Sequence, residues 1–209
     1  MIRVEDLVVG PVSTNCYFLI NEALREAVII DPGANPEKIQ TYLSENELKP
    51  TAILLTHGHF DHMMAAEALK ASYGISIYAS EKEKRVLNSS LLNLSDTFIR
   101  SSYTMDADVY CKEGEELFLA GCKIRVLETP GHTPGGCCYY IASENILFSG
   151  DTLFSLSVGR TDFPEGSYRE LCRSIKEKLF TLPPETICYS GHGEPTRIGL
   201  EKEQNPYVR

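Results

Sequence analysis

The segment Thr56–Met64, THGHFDHMM, places three of the chain's five histidines and an aspartate within six residues. Its H-x-H-x-D-H spacing follows neither the helical period nor the two-residue alternation of a strand. Burying an apolar face does not require such a set. Metal ligation does, since imidazole nitrogen and carboxylate oxygen are common ligands of zinc and iron. The other two histidines are His132 in TPGHTPGG and His192 in YSGHGEP, each after a strand-like run and beside glycine. Asp151 in FSGDT repeats that design. A lone histidine in a loop is more often a surface or hydrogen-bonded group, and an aspartate beside glycine more often a turn residue. Here His57, His132 and His192 each follow a strand-like run, and His59 and His62 share the turn that His57 opens. Five neutral imidazoles and two carboxylates, His57, His59, Asp61, His62, His132, Asp151 and His192, could hold two divalent ions, one carboxylate serving both. Two metals about 3.5–4 Å apart lower the pKa of a shared water and give a nucleophile near neutral pH.

The elements that must position these residues alternate between strand and helix. EAVIIDPG, TAILLT and ISIYAS read as strands of the first half. NPEKIQTYLSENE reads as a helix with Asn35 as N-cap and Pro36 in its first turn. DHMMAAEALKASYG reads as a helix stopped by Gly74, and SEKEKRVLN as a short one. In the second half CKIRVLETPGH, GCCYYIA, NILFSGD and ETICYSGHG are strands. SYRELCRSIKEKLF is a helix opened by a Ser167–Glu170 capping box. Strands and helices in both halves suit an α+β architecture, a four-layer αββα sandwich forming a single domain over residues 1–209. From Ser89 to Glu113 the pattern loosens, which fits either a binding loop or a surface excursion with a few apolar anchors.

Composition narrows the function classes. The 209 residues are 43% hydrophobic, enough for a sizeable core. Lys and Arg total 20 against 29 Asp and Glu, a formal charge of −9, which disfavours non-specific nucleic-acid binding. No run approaches the roughly 20 apolar residues that span a bilayer. The opening MIRVEDLVVG lacks the apolar run of a signal peptide, so a cytoplasmic protein is expected. Seven cysteines without a CxxC pair read as small buried hydrophobes, and adjacent Cys137 and Cys138 should face opposite sides of a strand.

THGHFDH, followed in order by His132, Asp151 and His192, resembles the metallo-β-lactamase superfamily of hydrolases. GPVSTNCYFLI and VIIDPG extend the resemblance over nearly the whole chain. It implies the αββα sandwich. It also implies that His57, His59 and His132 hold one metal, that Asp61, His62 and His192 hold a second, and that Asp151 bridges them. Asp61 would also accept or relay a proton. FSGDTLFSLSVGRTDFPEGS is similar to the glyoxalase II branch, the hydroxyacylglutathione hydrolases, and GHGEPTRIGLEKEQNPYV to its short bacterial members. That branch implies a small-molecule thioester substrate of the S-lactoylglutathione type. It also implies two divalent ions per chain, zinc first, with iron or manganese as alternatives, and attack by a hydroxide bridging them. Arg160 stands where the branch places a basic, substrate-binding residue, but Asp162 replaces the aromatic expected two places on. A structural Arg160 paired with Asp162 or Glu165 is the competing reading. Tyr103, Tyr110 and Phe154 are candidate pocket walls or, equally, core residues.

A second reaction class stays open: a mononuclear iron persulfide dioxygenase, which resembles the same branch but uses only His57, His132 and Asp151. Nucleic-acid processing of the RNase Z kind is disfavoured by the acidic balance. A flavin-linked diiron protein would need an acidic residue in place of His59. The sequence assigns no oligomeric state.

Overall fold

The computed structural model describes residues 1–208. Two six-stranded sheets form its centre. The first runs in chain order: β1 (Ile2–Val9), β2 (Thr14–Asn21), β3 (Glu26–Ile30), β4 (Lys49–Leu54), β5 (Ser76–Ser80) and β6 (Val109–Cys111). The second contains β7 (Glu116–Leu119), β8 (Cys122–Glu128), β9 (Cys137–Ile141) and β10 (Ile146–Gly150). A short hairpin, β11 (Leu153–Phe154) with β12 (Ser157–Val158), precedes its last strands, β13 (Ile187–Ser190) and β14 (Thr196–Arg197). The spatial order of this sheet is β14-β13-β10-β9-β8-β7.

Period-two alternation divides the core into three layers. Phe18, Ile20 and Ile29 point outward onto α1 (Pro36–Glu45) and α3 (Ala66–Tyr73), meeting Ile39, Leu43 and Leu69. Their neighbours Leu19, Val28 and Ile30 point inward and pack against Ile124, Val126, Tyr139 and Phe148 of the second sheet. On the far side Cys138, Tyr140 and Leu147 meet Leu171 and Ile175 of α6 (Tyr168–Glu177) and Ile198 of α7 (Ile198–Gln204). The result is the expected helix–sheet–sheet–helix sandwich. Cys137 faces the inter-sheet layer and Cys138 the helical layer, as alternation requires. All seven cysteines are unpaired; six are buried and Cys172 is half-buried.

Three local expectations need correction. The helix expected over DHMMAAEALKASYG is two: α2 (Phe60–Met63) and α3. The Ala65 amide donates to Pro32 O at 2.9 Å instead of continuing the ladder. Gly33 presses so closely on the Asp61 carbonyl that a Cβ there would lie 1.5 Å from it. Asn35 does sit at the start of α1, but in a left-handed conformation, and its side chain accepts from the Gly10 amide at 2.9 Å rather than capping the helix. At α6, Ser167 Oγ accepts from the Glu170 amide at 3.3 Å. The Ser167 amide itself donates to Gly131 O at 2.7 Å, so the return half of the capping box is replaced. The Ser89–Glu113 segment follows α4 (Lys84–Leu87), carries the single turn α5 (Ser95–Phe98) and includes β6 near its end. Among the described residues no helix is long and apolar enough to cross a membrane.

The two sheets are joined at one edge by polar bonds. Tyr139 is fully buried and donates its hydroxyl to Leu55 O at 2.8 Å. Leu55 lies two residues before His57. Tyr139→Phe keeps the ring and leaves that carbonyl short of its strong donor, at a cost of about 1–2 kcal/mol. Urea unfolding of the variant against the parent measures this; equal midpoints would contradict it.

Candidate metal centre

Strand direction brings the candidate residues together. β3, β4 and β5 run parallel, and so do β10 and β13. β8 and β10 are each antiparallel to β9 and therefore share a direction. The carboxyl ends of β4, β8, β10 and β13 release His57, His132, Asp151 and His192 at one edge of the sandwich. His59 follows as the N-cap of α2, and Asp61 and His62 stand within α2 itself. The edge is fastened by Cys137 N to Thr56 O at 2.8 Å and Asn15 N to Gly191 O at 2.8 Å.

All seven sequence-derived ligand candidates meet there. His57, His59 and His132 form one compact group and Asp61, His62 and His192 another. His59 Nδ1 lies 3.1 Å from His57 Nε2 and 2.9 Å from His132 Nε2. Asp61 Oδ2 is 3.4 Å from both His62 Nε2 and His192 Nε2. Asp151 faces both groups: Oδ2 is 3.6 Å from His132 and from His192, and Oδ1 is 3.5 Å from His62. The arrangement fits metal ions. His62 Nε2 and Asp151 Oδ1 are buried without a hydrogen-bond partner, which is costly unless something else is ligated. A Cβ at Gly191 would sit 2.3 Å from Asp151 Oδ1 and 2.7 Å from the His62 ring, so only glycine keeps this space open.

A second set of residues fixes the rings. Asp31, at the end of β3, lies with Oδ2 3.0 Å from His62 Nδ1 and accepts from Thr56 Oγ1 at 2.6 Å; its Oδ1 accepts from the Thr56 amide at 2.8 Å. Thr56 Oγ1 is also 3.1 Å from His57 Nδ1. His132 Nδ1 lies 2.6 Å from Arg160 O, and Thr14 Oγ1 donates to Asp61 Oδ2 at 2.9 Å. Such partners set which ring nitrogen is left for a metal. Glu83 is fully buried and accepts from Gly58 N and Gly135 N, both at 2.7 Å, pinning the two histidine loops together. Burial pushes its carboxyl up, and its bonds to the Gly58 and Gly135 amides work in the opposite sense.

Sequence reasoning overlooked these positioning groups. Asp31 closes a strand in VIIDPG as Asp151 does in LFSGD, so the strand-end rule applied to the histidines would have found it. Glu83 lies in the charged stretch SEKEK and carries no signal. The cleft above the cluster holds about 260 Å³ and is walled by Val12, Phe60, Leu94, Phe98, Phe154 and Phe163. Phe154 is thus a wall, and the irregular segment supplies Leu94 and Phe98. Tyr103 and Tyr110 are not walls: they pack on the outer core, with their hydroxyls on Glu67 and Asp106. Arg160 reaches the cleft rim but is paired with Asp162, while Glu165 pairs with Arg85.

A family model described as the metallo-beta-lactamase superfamily matches residues 9–192. The hydroxyacylglutathione hydrolase GloC of Haemophilus influenzae is 37% identical over 99% of this chain and 98% of its own. A crystal structure of BLEG-1 B3 metallo-beta-lactamase superposes with a TM-score of 0.94 at 40% identity, covering 99% of both chains. A crystal structure of TTHA1623 in a di-iron-bound form gives 0.86 at 34% identity, covering 97% of this chain and 99% of that one.

The metal-free cluster titrates in opposed directions. Burial, reinforced by neighbouring imidazoles, holds His57 and His59 well below the ordinary 6.5, and burial lowers His132. Burial also disfavours charge on His62, but Asp61, Asp151 and Asp31 outweigh it and carry its pKa to about 10. Burial opposes the Asp61 charge too, yet His62 and His192 hold its carboxyl far below the usual range. The unfolded chain protonates His57, His59 and His132 near pH 6.5 and the folded chain does not, so their contribution is lost as pH falls below that value. The His62 contribution is full below its unfolded pKa and is lost as pH rises toward 10. Metal-stripped protein should therefore be most stable near neutrality, with urea midpoints declining on both sides; a monotonic profile between about pH 5 and 9 would contradict this.

Proposed function

The chain belongs to the metallo-beta-lactamase superfamily of metal-dependent hydrolases, and from that premise we propose that it hydrolyses thioesters, S-lactoylglutathione among them, in the manner of the hydroxyacylglutathione hydrolases. The observation that carries the reading is the completeness of both ligand groups with Asp151 facing each. His57, His59 and His132 would hold one divalent ion, Asp61, His62 and His192 the other, and Asp151 both. Two zinc ions, or iron or manganese in their place, supply Lewis acidity that brings the pKa of water near neutrality and polarises a carbonyl.

The chain's own residues do the rest. Asp61 stays ionised and is steadied through Oδ2 by Thr14, so it would orient the attacking water by accepting a hydrogen bond from it and relay the proton onward rather than keep it. Phe163 stands over the histidines, its ring 5.6 Å from that of His59 and 6.3 Å from that of His132, and Phe98 lies against it at 6.1 Å. A thiolate leaving group needs little protonation, because thiols ionise near pH 8.5. The seven unpaired cysteines support a reducing, cytoplasmic setting.

The competing reading, sulfur oxidation at one iron held by His57, His132 and Asp151, gives Asp61, His62 and His192 no task. Elemental analysis with a hydrolysis assay on the same preparation separates the two. Two metal equivalents per chain and turnover of S-lactoylglutathione are expected. Chelation should abolish turnover, and zinc, iron(II) or manganese should restore it. Asp61→Asn should lower kcat by about 10²-fold or more in metal-loaded protein. One iron per chain, with oxygen consumed on glutathione persulfide and no hydrolysis, would overturn the proposal.

A further inference from the structure

The walls of the cleft are apolar, and among the described residues the one lysine or arginine that lines it is Arg160. That cation is already committed. Arg160 Nε donates to Asp162 Oδ1 at 2.9 Å and Nη2 to Asp162 Oδ2 at 2.8 Å. This two-pronged pairing is how a guanidinium would grip a carboxylate on a ligand. One of its two planar faces is covered as well, since the guanidinium carbon lies 4.3 Å from the centre of the Phe163 ring. Neighbouring cations are engaged elsewhere: Arg85 pairs with Glu165, and Lys84 lies 5.1 Å over the Tyr110 ring. The remaining charged groups of the cleft that are not cations are Asp61 and Asp151.

We infer that Asp162 occupies the place a substrate carboxylate would take on Arg160, so that the cleft selects thioesters whose thiol portion is uncharged and apolar over those whose thiol portion carries carboxylates. The inference rests on the thioester-hydrolase reading. A carboxylate on the substrate must displace one tethered two residues away, which competes at high effective concentration. An uncharged thiol portion meets only Val12, Leu94 and the four phenylalanines, and gains by burial there. Asp162 is therefore a specificity-determining residue. An ordinary surface ion pair at the same place would affect stability slightly and leave substrate preference alone.

The test compares S-lactoylglutathione with S-lactoyl-N-acetylcysteamine, which share an acyl group and differ in the charge of the thiol portion. The parent should have the higher kcat/KM on the uncharged thioester. Asp162→Ala should raise the glutathione-to-cysteamine ratio by about three- to tenfold, through KM, and Asp162→Asn by less. The gain should shrink at high ionic strength and vanish in the Arg160→Ala/Asp162→Ala double variant. Calorimetry with S-methylglutathione should show a matching tightening in Asp162→Ala, whether or not any thioester is cleaved. Failure to cleave either thioester would sink the thioester-hydrolase reading, while the calorimetry still decides this one. An unchanged ratio and Kd in Asp162→Ala, or a parent that favours the glutathione thioester, would overturn the inference.

Discussion

Five imidazoles and two carboxylates share one edge of the sandwich with too few hydrogen-bond partners among themselves. His62 Nε2 and Asp151 Oδ1 are buried and unpaired, and three imidazole nitrogens of His57, His59 and His132 crowd to about hydrogen-bond distance. Burying polar atoms this way opposes folding. Most of the architecture near the site can be understood as meeting that cost. Asp31, Thr56 and the Arg160 carbonyl hold the outer nitrogens of His62, His57 and His132, Thr14 holds the Asp61 carboxylate and Glu83 the loop amides, so these three rings point inward. Behind them, the parallel run of β3–β5 and of β10 with β13 delivers the ligands from separate strand ends.

Much of this was legible in the chain. Histidines are few, and all of them lie at or just past the ends of apolar runs, so a strand-end rule located the ligand candidates without any contact information. The layers were legible because the apolar runs are short, β-branched and separated by helical patterns. What escaped detection shares a physical cause. The break between α2 and α3 comes from Gly33 pressing on the Asp61 carbonyl, a contact between segments nearly thirty positions apart. Glu83 acts through two backbone amides, and backbone amides leave no trace in residue types. Asn35 occupies its expected place yet bonds to Gly10, because tertiary neighbours outcompete a local cap.

The ligand cluster and the cleft speak to different aspects of function. Relatives of this chain include a hydroxyacylglutathione hydrolase and a B3 metallo-beta-lactamase, both well over 30% identical across nearly their whole lengths. A shared sandwich does not distinguish between such activities. Discrimination must lie in the walls, which here come from loops and single helical turns: Val12 after β1, Phe60 in α2, Leu94 and Phe98 around α5, Phe154 at the β11–β12 hairpin, and Phe163 before α6. Loops vary more freely than the strands that carry the ligands.

Thr56 has a consequence of another kind. Its carbonyl holds Cys137 of the opposite sheet, while its amide and hydroxyl hold Asp31, and it immediately precedes His57. One residue therefore serves as both seam and ligand support. The sheets cannot part at this edge without disordering the histidines. Local opening that exposes the Cys137 amide to solvent exchange and loss of ligand alignment are the same event, so whatever binds the cluster also slows the breathing of the sandwich.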